Sequence, residues 1–214
     1  MQPPETVLRG ACSALGLAVA QSQVAQLLAY LALLERWNAT YNLTAVRDPA
    51  AMLTQHLADC LAVVPPFLRH LGGVPACVLD VGSGGGLPGV VLAVMLRNCD
   101  VTCVDAVGKK AAFVRQAAGA LGVPNLHAVH NRVEQLKAQP FDVITARAFA
   151  SLTDMVALTS AALAPGGCWA AMKGHPPADE IAALAPEITV FHVEPLVVPG
   201  VDVQRCLVWM QRTP

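Results

Sequence analysis

Ten residues in the middle of the chain carry the clearest chemical signal: Asp80-Val-Gly82-Ser-Gly84-Gly-Gly86-Leu-Pro-Gly89. An apolar, strand-like run enters this segment and a helical run leaves it. Glycines let a backbone turn tightly there and let a nucleotide approach it without interference from Cβ atoms. The plain alternative is a glycine-rich turn with no ligand. Gly84-x-Gly86-x-x-Gly89 matches the spacing of dinucleotide sites, which seat a pyrophosphate on free N–H groups at a helix start. Pro88, expected at about the first helical position, removes one of those donors. Asp80 places a carboxylate at the end of the strand, which suits a cationic ligand better than a pyrophosphate.

Asp105 closes the next strand-like run and can accept hydrogen bonds from both ribose hydroxyls of NAD or of S-adenosylmethionine. A turn or capping aspartate is the simpler role. About 40 residues follow the fifth strand, too few for the separate substrate domain of most dehydrogenases. S-adenosylmethionine is therefore the favoured ligand. An NAD(P)-dependent oxidoreductase is the alternative enzyme, and a non-catalytic ligand-binding module the alternative outside enzymes.

The elements that must position these residues follow from periodicity. Helical spacing predicts helices from about Thr6 to Leu15 and Ser22 to Trp37, the second with an apolar stripe of Val24, Leu27, Leu28, Leu31, Leu34 and Trp37. A third helix starts at Asp48-Pro49, a cap followed by proline, and should stop at Pro65-Pro66. From Cys77 onward strands and helices alternate. Strands are expected at Cys77–Val81, Val101–Val104, Leu126–His130, Phe141–Thr145 and Cys168–Met172. Helices are expected from Pro88 to Arg97, Lys109 to Leu121 and Ser151 to Leu163. Two strands, Ile188–Val193 and Cys206–Met210, close the chain. This alternation predicts an α/β fold, a mostly parallel sheet with helices on both faces. Residues 1–70 form an amino-terminal helical extension packed on a catalytic domain of residues 71–214.

Composition bounds the function class. The 214 residues are 55% hydrophobic and 14% charged, against about 25% charged in average chains, so a large core is expected and disorder is not. Apolar runs such as Val90–Leu96 are far shorter than the roughly 20 residues of a membrane span. Met1-Gln-Pro-Pro-Glu has neither the basic nor the apolar region of a signal peptide, and the protein is expected in the cytoplasm. Seven cysteines lack a C-x-x-C pair, and the histidines show no ligand spacing, so no metal is expected. Net charge is −1, yet residues 97–147 hold seven basic and four acidic residues. A local nucleic-acid contact belongs in that stretch.

Five segments together resemble one family: Glu35-Arg-Trp-Asn-x-x-Tyr-Asn-Leu-Thr44, Arg47-Asp48-Pro49, His56-x-x-Asp59, the Asp80–Gly89 loop and Arg147-Ala-Phe-Ala-Ser-Leu152. Their order is similar to that of the bacterial 16S ribosomal RNA guanine-N7 methyltransferases, also called glucose-inhibited division protein B. Cys60 departs from the family's usual serine, and Gly85 from its frequent proline. The resemblance implies a Rossmann-like class I methyltransferase fold and S-adenosylmethionine as cofactor. It implies as substrate one guanine in the 530 loop of the 16S ribosomal RNA, free or in the small ribosomal subunit. Gly82, Gly84, Gly86 and Leu87 are then expected beside the cofactor, Asp105 at its ribose, Val133 and Glu134 at its adenine, and Arg147 at the methyl-transfer end.

Guanine N7 has a lone pair and no proton, and the thioether leaving group is neutral. No general base or acid is expected, only a held geometry, which can supply about 7–11 kcal/mol. Tyr41, Asn42, Lys109, Lys110, Arg115 and Lys173 are candidate RNA contacts. Each has a plainer role beside it, the lysines and Arg115 as solvated surface. Trp37 and Phe149 can stack on a base, although Trp37 on its apolar stripe reads first as packing. His56 and Asp59, three apart, can pair on one helix face.

Overall fold

The structure, a computed structural model, describes residues 2–137, 140–149 and 151–213. Met1 of the amino-terminal pentapeptide and Ala150 of the Arg147–Leu152 segment lie outside the described residues. Helices α1 (Pro4–Ala14) and α2 (Gln21–Tyr41) lead the chain. They are followed by α3 (Pro49–Met52), a π-helical turn at Leu53–Ala58, α4 (Asp59–Leu61) and α5 (Val64–Leu71). The expected stop at Pro65-Pro66 does not occur. Both prolines sit in the first turn of α5, where amides have no intrahelical acceptor and a missing N–H costs nothing. Pro49–Leu71 is thus one helical stretch of 23 residues, long and apolar enough to cross a membrane, and is mostly buried within the fold.

Seven strands follow: β1 (Cys77–Val81), β2 (Asp100–Asp105), β3 (Leu126–His130), β4 (Phe141–Ala146), β5 (Leu163–Lys173), β6 (Ile188–Pro195) and β7 (Cys206–Arg212). Their order in one sheet is β3-β2-β1-β4-β5-β7-β6. β1 to β5 are parallel, and β7 runs antiparallel between β5 and β6. The intervening helices are α6 (Gly89–Met95), α7 (Gly108–Leu121), α8 (Leu152–Thr159) and α9 (Ala178–Ala182). α9 has no counterpart in the periodicity, since five residues are too few to show one.

Strand side chains alternate between two apolar cores, as a period of two demands when helices cover both faces. Val78, Val143 and Trp209 face one core; Leu79, Ile144 and Val208 face the other. The first core also holds Leu8, Leu27, Leu34, Leu57 and Phe67. The amino-terminal helices therefore share their burial with the sheet, each fully buried leucine contributing about 1.5–3 kcal/mol. All seven cysteines are free; six are buried and Cys77 is partly so. The strand order reverses between β1 and β4, which opens a crevice at their carboxyl ends. Gly82 and Arg147 stand on its two sides.

Candidate cofactor and substrate cleft

β1 runs straight into Gly82, which takes φ +64° with open space where a Cβ would project. The amides of Gly82 and Ser83 both donate to the carbonyl of Val104, at 2.9 and 3.3 Å, and those of Gly86 and Leu87 donate to the carbonyl of Ser83. Glycine is needed for different reasons along the loop. A Cβ on Gly86 would stand 2.7 Å from Val90 Cγ2, and one on Gly89 only 2.3 Å from Cys103 Sγ. Gly86 thus makes room for Val90 of α6 and Val114 of α7, Gly89 serves helix–sheet packing, and Gly82 faces free volume.

Asp80 does not point into the cleft. It is fully buried beneath the loop, its Oδ2 accepting the Gly89 amide at 2.8 Å while Oδ1 has no partner among the described residues. Burial pushes its pKa up to about 7, against the opposing pull of the Gly89 amide and the Arg147 charge. The expectation of a carboxylate for a cationic ligand is corrected to a carboxylate that anchors the loop. Pro88 is likewise shifted by one place, capping α6 rather than opening it.

Three cavities adjoin along the crevice. The first, about 170 Å³, is lined by Gly82, Asp105, Asn131, Val133, Glu134 and Phe149, among others. Asp105 does two jobs there. Its Oδ2 accepts the Gly84 amide at 2.9 Å and its Oδ1 the Val107 amide at 2.8 Å, while the residue still lines the cavity. Each carboxylate oxygen retains a further lone pair for a ligand hydroxyl.

The second cavity, about 160 Å³, is lined by Gly82, Gly84 and Leu87 of the loop, by Lys110 and Arg147, and by Leu34, Leu43, Thr44 and His56 of the amino-terminal segment. That segment also grips the loop from behind: the Tyr30 hydroxyl, fully buried, donates to the Gly85 carbonyl at 2.6 Å. Periodicity alone placed Tyr30 on no functional face. Its hydroxyl, on an otherwise apolar helix surface, was the available clue.

The third cavity is the largest, about 640 Å³, and shares His56 and Arg147 with the second. Arg147 Nη1 lies 3.6 Å from Asp59 Oδ2 and 3.3 Å from His56 Nδ1. His56 and Asp59 do not pair with each other, contrary to the helical-spacing expectation. Asp59 instead accepts from Arg205 Nε at 2.8 Å. His56 Nδ1 also lies 3.2 Å from the Gln55 carbonyl, and Nε2 lies 2.7 Å from Thr44 Oγ1. Burial, and then the Arg147 charge, lower the His56 pKa, so the ring is neutral at pH 7. Arg205 arrives from just before β7, and no motif marks it.

The basic and aromatic candidates separate. Lys110 turns to the second cavity, 3.9 Å from Asp105 Oδ2, while Lys109 and Arg115 are exposed on α7. Lys173 is no free surface lysine: it lines the third cavity and is paired to both Glu180 oxygens at 2.7 and 2.9 Å. Tyr41 and Asn42 lie past the last residue of the apolar stripe, Trp37. Tyr41 ends α2, and Asn42 caps it in the left-handed region at φ 50°, its Oδ1 accepting from Arg47. Trp37 packs on Phe113, ring centroids 5.5 Å apart. Phe149 lies at the first cavity, away from the third. Among the described residues no group of three or more His, Cys, Asp or Glu side chains is placed to hold a metal.

Comparisons with known proteins align with this geometry. The family model described as GidB, rRNA small subunit methyltransferase G, matches residues 23–208. The chain is 58% identical over 211 residues to the ribosomal RNA small subunit methyltransferase G of Leptothrix cholodnii, covering 99% of this chain and 97% of that protein. Among solved structures it superposes on the Burkholderia thailandensis 1,6-didemethyltoxoflavin-N1-methyltransferase with bound S-adenosylhomocysteine. That match has TM-score 0.58 and 20% identity, covering 86% of this chain and 89% of the other. A SAM-dependent methyltransferase from Aquifex aeolicus gives TM-score 0.55 and 16% identity, covering 78% and 94%.

Proposed function

The chain belongs to the rRNA small subunit methyltransferase G family, and from that premise we propose that it methylates N7 of one guanine in the 530 loop of 16S ribosomal RNA. It is a Rossmann-like, S-adenosylmethionine-dependent methyltransferase of ribosomal RNA, which decides against the nicotinamide alternative. The guanine, its N7 atom and the loop are our reading, as is a cytoplasmic setting, where ribosomal RNA is found.

The observation that carries the reading is the position of Arg147, at the carboxyl end of β4. It lines both the second cavity, beside Gly82, and the third, which is roomy enough for a nucleotide. The free volume in front of Gly82 fits a cofactor backbone that a Cβ would exclude. Asp105 is assigned to the ribose hydroxyls, with Val133, Glu134 and Phe149 around the adenine. Gly84, Leu87 and Arg147 take the methionine end. Lys110 stands at the opening of that end, and Lys109 and Arg115 on the same helix are assigned to RNA phosphates.

S-adenosylmethionine supplies an electrophilic methyl group on a sulfonium. The protein's part is to hold the target in line with it. No residue has to remove a proton from N7, and neutral His56, its ring committed to Arg147 and Thr44, is arranged to orient rather than to titrate. Presenting a guanine in the third cavity requires splaying it from the RNA, at a cost of a few kcal/mol. Arg147 and Arg205, sharing Asp59, form the rigid cationic wall that receives it. Incubating the protein with small subunits lacking the modification and with methyl-labelled cofactor, then mapping the labelled base, tests the proposal. Label on one 530-loop guanine at N7 is expected; label on another base or atom sinks it.

A further inference from the structure

Glu180 is named by no motif and lines none of the three cavities, yet its carboxylate joins three elements at their edge. From α9, its Oε2 accepts the amide of Leu152, the first residue of α8, at 2.8 Å. Both oxygens accept from Lys173 Nζ at the end of β5. Burial opposes the charge of Glu180, but Lys173 and the Leu152 amide outweigh it and hold the pKa below the usual carboxylate range. The segment that Leu152 terminates begins at Arg147 and contains Phe149. These two side chains wall the cleft at opposite ends, Phe149 at the first cavity and Arg147 at the second and third. β4 fixes the near end of this segment. The far end is fixed by Ser151, whose hydroxyl accepts the Asp154 amide, and by Glu180. A carboxylate on a helix-start amide is also favoured by the helix dipole.

We infer that Glu180 is a positioning residue for the cofactor site, holding the Arg147–Phe149 segment in place through the Leu152 amide, with Lys173 serving as its counter-ion rather than as an RNA phosphate contact. The inference rests on the reading of Phe149 and Arg147 as cofactor walls. Glu180 touches neither cofactor nor RNA. Loss of its grip lets the segment's far end drift, which loosens the wall around the adenine before it alters the chemical step.

Calorimetric titration with S-adenosylhomocysteine, which needs no RNA, tests this on Glu180→Ala and Glu180→Gln. Glutamine keeps an acceptor for the Leu152 amide, and alanine does not. The Kd is expected to rise about tenfold in Glu180→Ala and to recover to within about threefold in Glu180→Gln, amounting to about 1.4 kcal/mol for the tenfold step. Methylation rates followed across a range of cofactor concentrations should show the same split, with KM for cofactor raised and kcat changed less than threefold. Equal Kd in wild type and Glu180→Ala overturns the inference, and so does an equal loss in both variants. Lys173→Met supplies an arm that does not depend on the Glu180 variants folding. The slope of log K for RNA against log salt should be unchanged in it; a slope smaller by about 0.7–0.9 makes Lys173 a phosphate contact and overturns the counter-ion assignment. Failure of the wild-type protein to bind S-adenosylhomocysteine strikes at the cofactor reading itself, and the inference falls with it.

Discussion

The hydroxyl of Tyr30, on the second helix, donates a 2.6 Å hydrogen bond to the carbonyl of Gly85 in the glycine loop. Fifty-five residues separate the two, so the bond ties the amino-terminal helices to the loop that faces the cofactor cleft. Tyr30→Phe keeps the ring and its contact with Phe113, 6.0 Å between centroids, and leaves the Gly85 carbonyl without that donor. The carbonyl is part-buried, so the loss lies at or below the roughly 1–3 kcal/mol of a fully buried unpaired acceptor. Chemical denaturation should register that loss, and the Kd for S-adenosylhomocysteine should rise several-fold. An unchanged Kd beside a lowered stability would confine Tyr30 to folding.

Asp80 gives a pH dependence of defined sign. Its carboxyl has a pKa of about 7 in the folded chain against an ordinary 3.8, so the folded protein keeps a proton that the unfolded chain has released. Folding stability contributed by this group is therefore full below about pH 4 and is lost as the pH climbs to about 7, by on the order of 4 kcal/mol. Asp80→Asn retains an oxygen for the Gly89 amide and removes the titration. Its stability relative to wild type should grow across that window when urea unfolding is followed at several pH values. Parallel curves would mean that the burial does not govern the ionisation.

Methyl transfer to N7 without proton removal predicts a flat pH profile. Measured in single turnovers at saturating cofactor, the rate should vary less than about threefold between about pH 6.5 and 8.5. His56→Gln should lower the rate without changing the shape, because the ring orients Arg147 and burial holds its pKa below the ordinary histidine range. A tenfold rise per pH unit that disappears in His56→Gln would instead make His56 a base.

Arg147→Lys keeps a positive charge and loses the planar guanidinium, whose Nη1 lies within 3.6 Å of Asp59, His56 and the Gln55 carbonyl. The expected result is a fall in kcat of about 10–100-fold with a smaller change in cofactor Kd. Asp59 retains Arg205, so the midpoint of thermal unfolding should move little. A Kd effect as large as the kcat effect would place Arg147 in cofactor binding alone.

Much of the fold and of the cleft is legible in the sequence. Val78 and Leu79 alternate between two cores because both sheet faces are covered, and the same period marks the strand in the sequence. The glycine loop and Arg147 were legible because a crevice at a strand reversal needs small residues on one side and leaves a long side chain on the other. What was hidden depends on where helices end and on long-range encounters. Pro65-Pro66 looks like a terminator until one sees that it lies in a first turn. Asn42 reads as a loop residue because its cap follows a helix four residues longer than its stripe. Arg205 and Asp59 meet across 146 positions, and Glu180 sits on a helix too short for any period. Asp80 was visible but its direction was not, since a strand-end carboxylate can face the ligand or the sheet with the same sequence around it.

The free cysteines turn the fold into its own timer. Every one of the seven thiols is pushed above its ordinary pKa, burial being the first cause, and thiolate is the form that alkylating reagents consume. The partly exposed Cys77 should take up iodoacetamide first, while the other six wait for the backbone to open around them. Mass spectrometry of the labelled chain then dates the opening of each layer: Cys12 for the amino-terminal helices, Cys103 for the underside of the glycine loop, Cys206 for the antiparallel edge. Bound S-adenosylhomocysteine should slow the clock at Cys103 more than at Cys12.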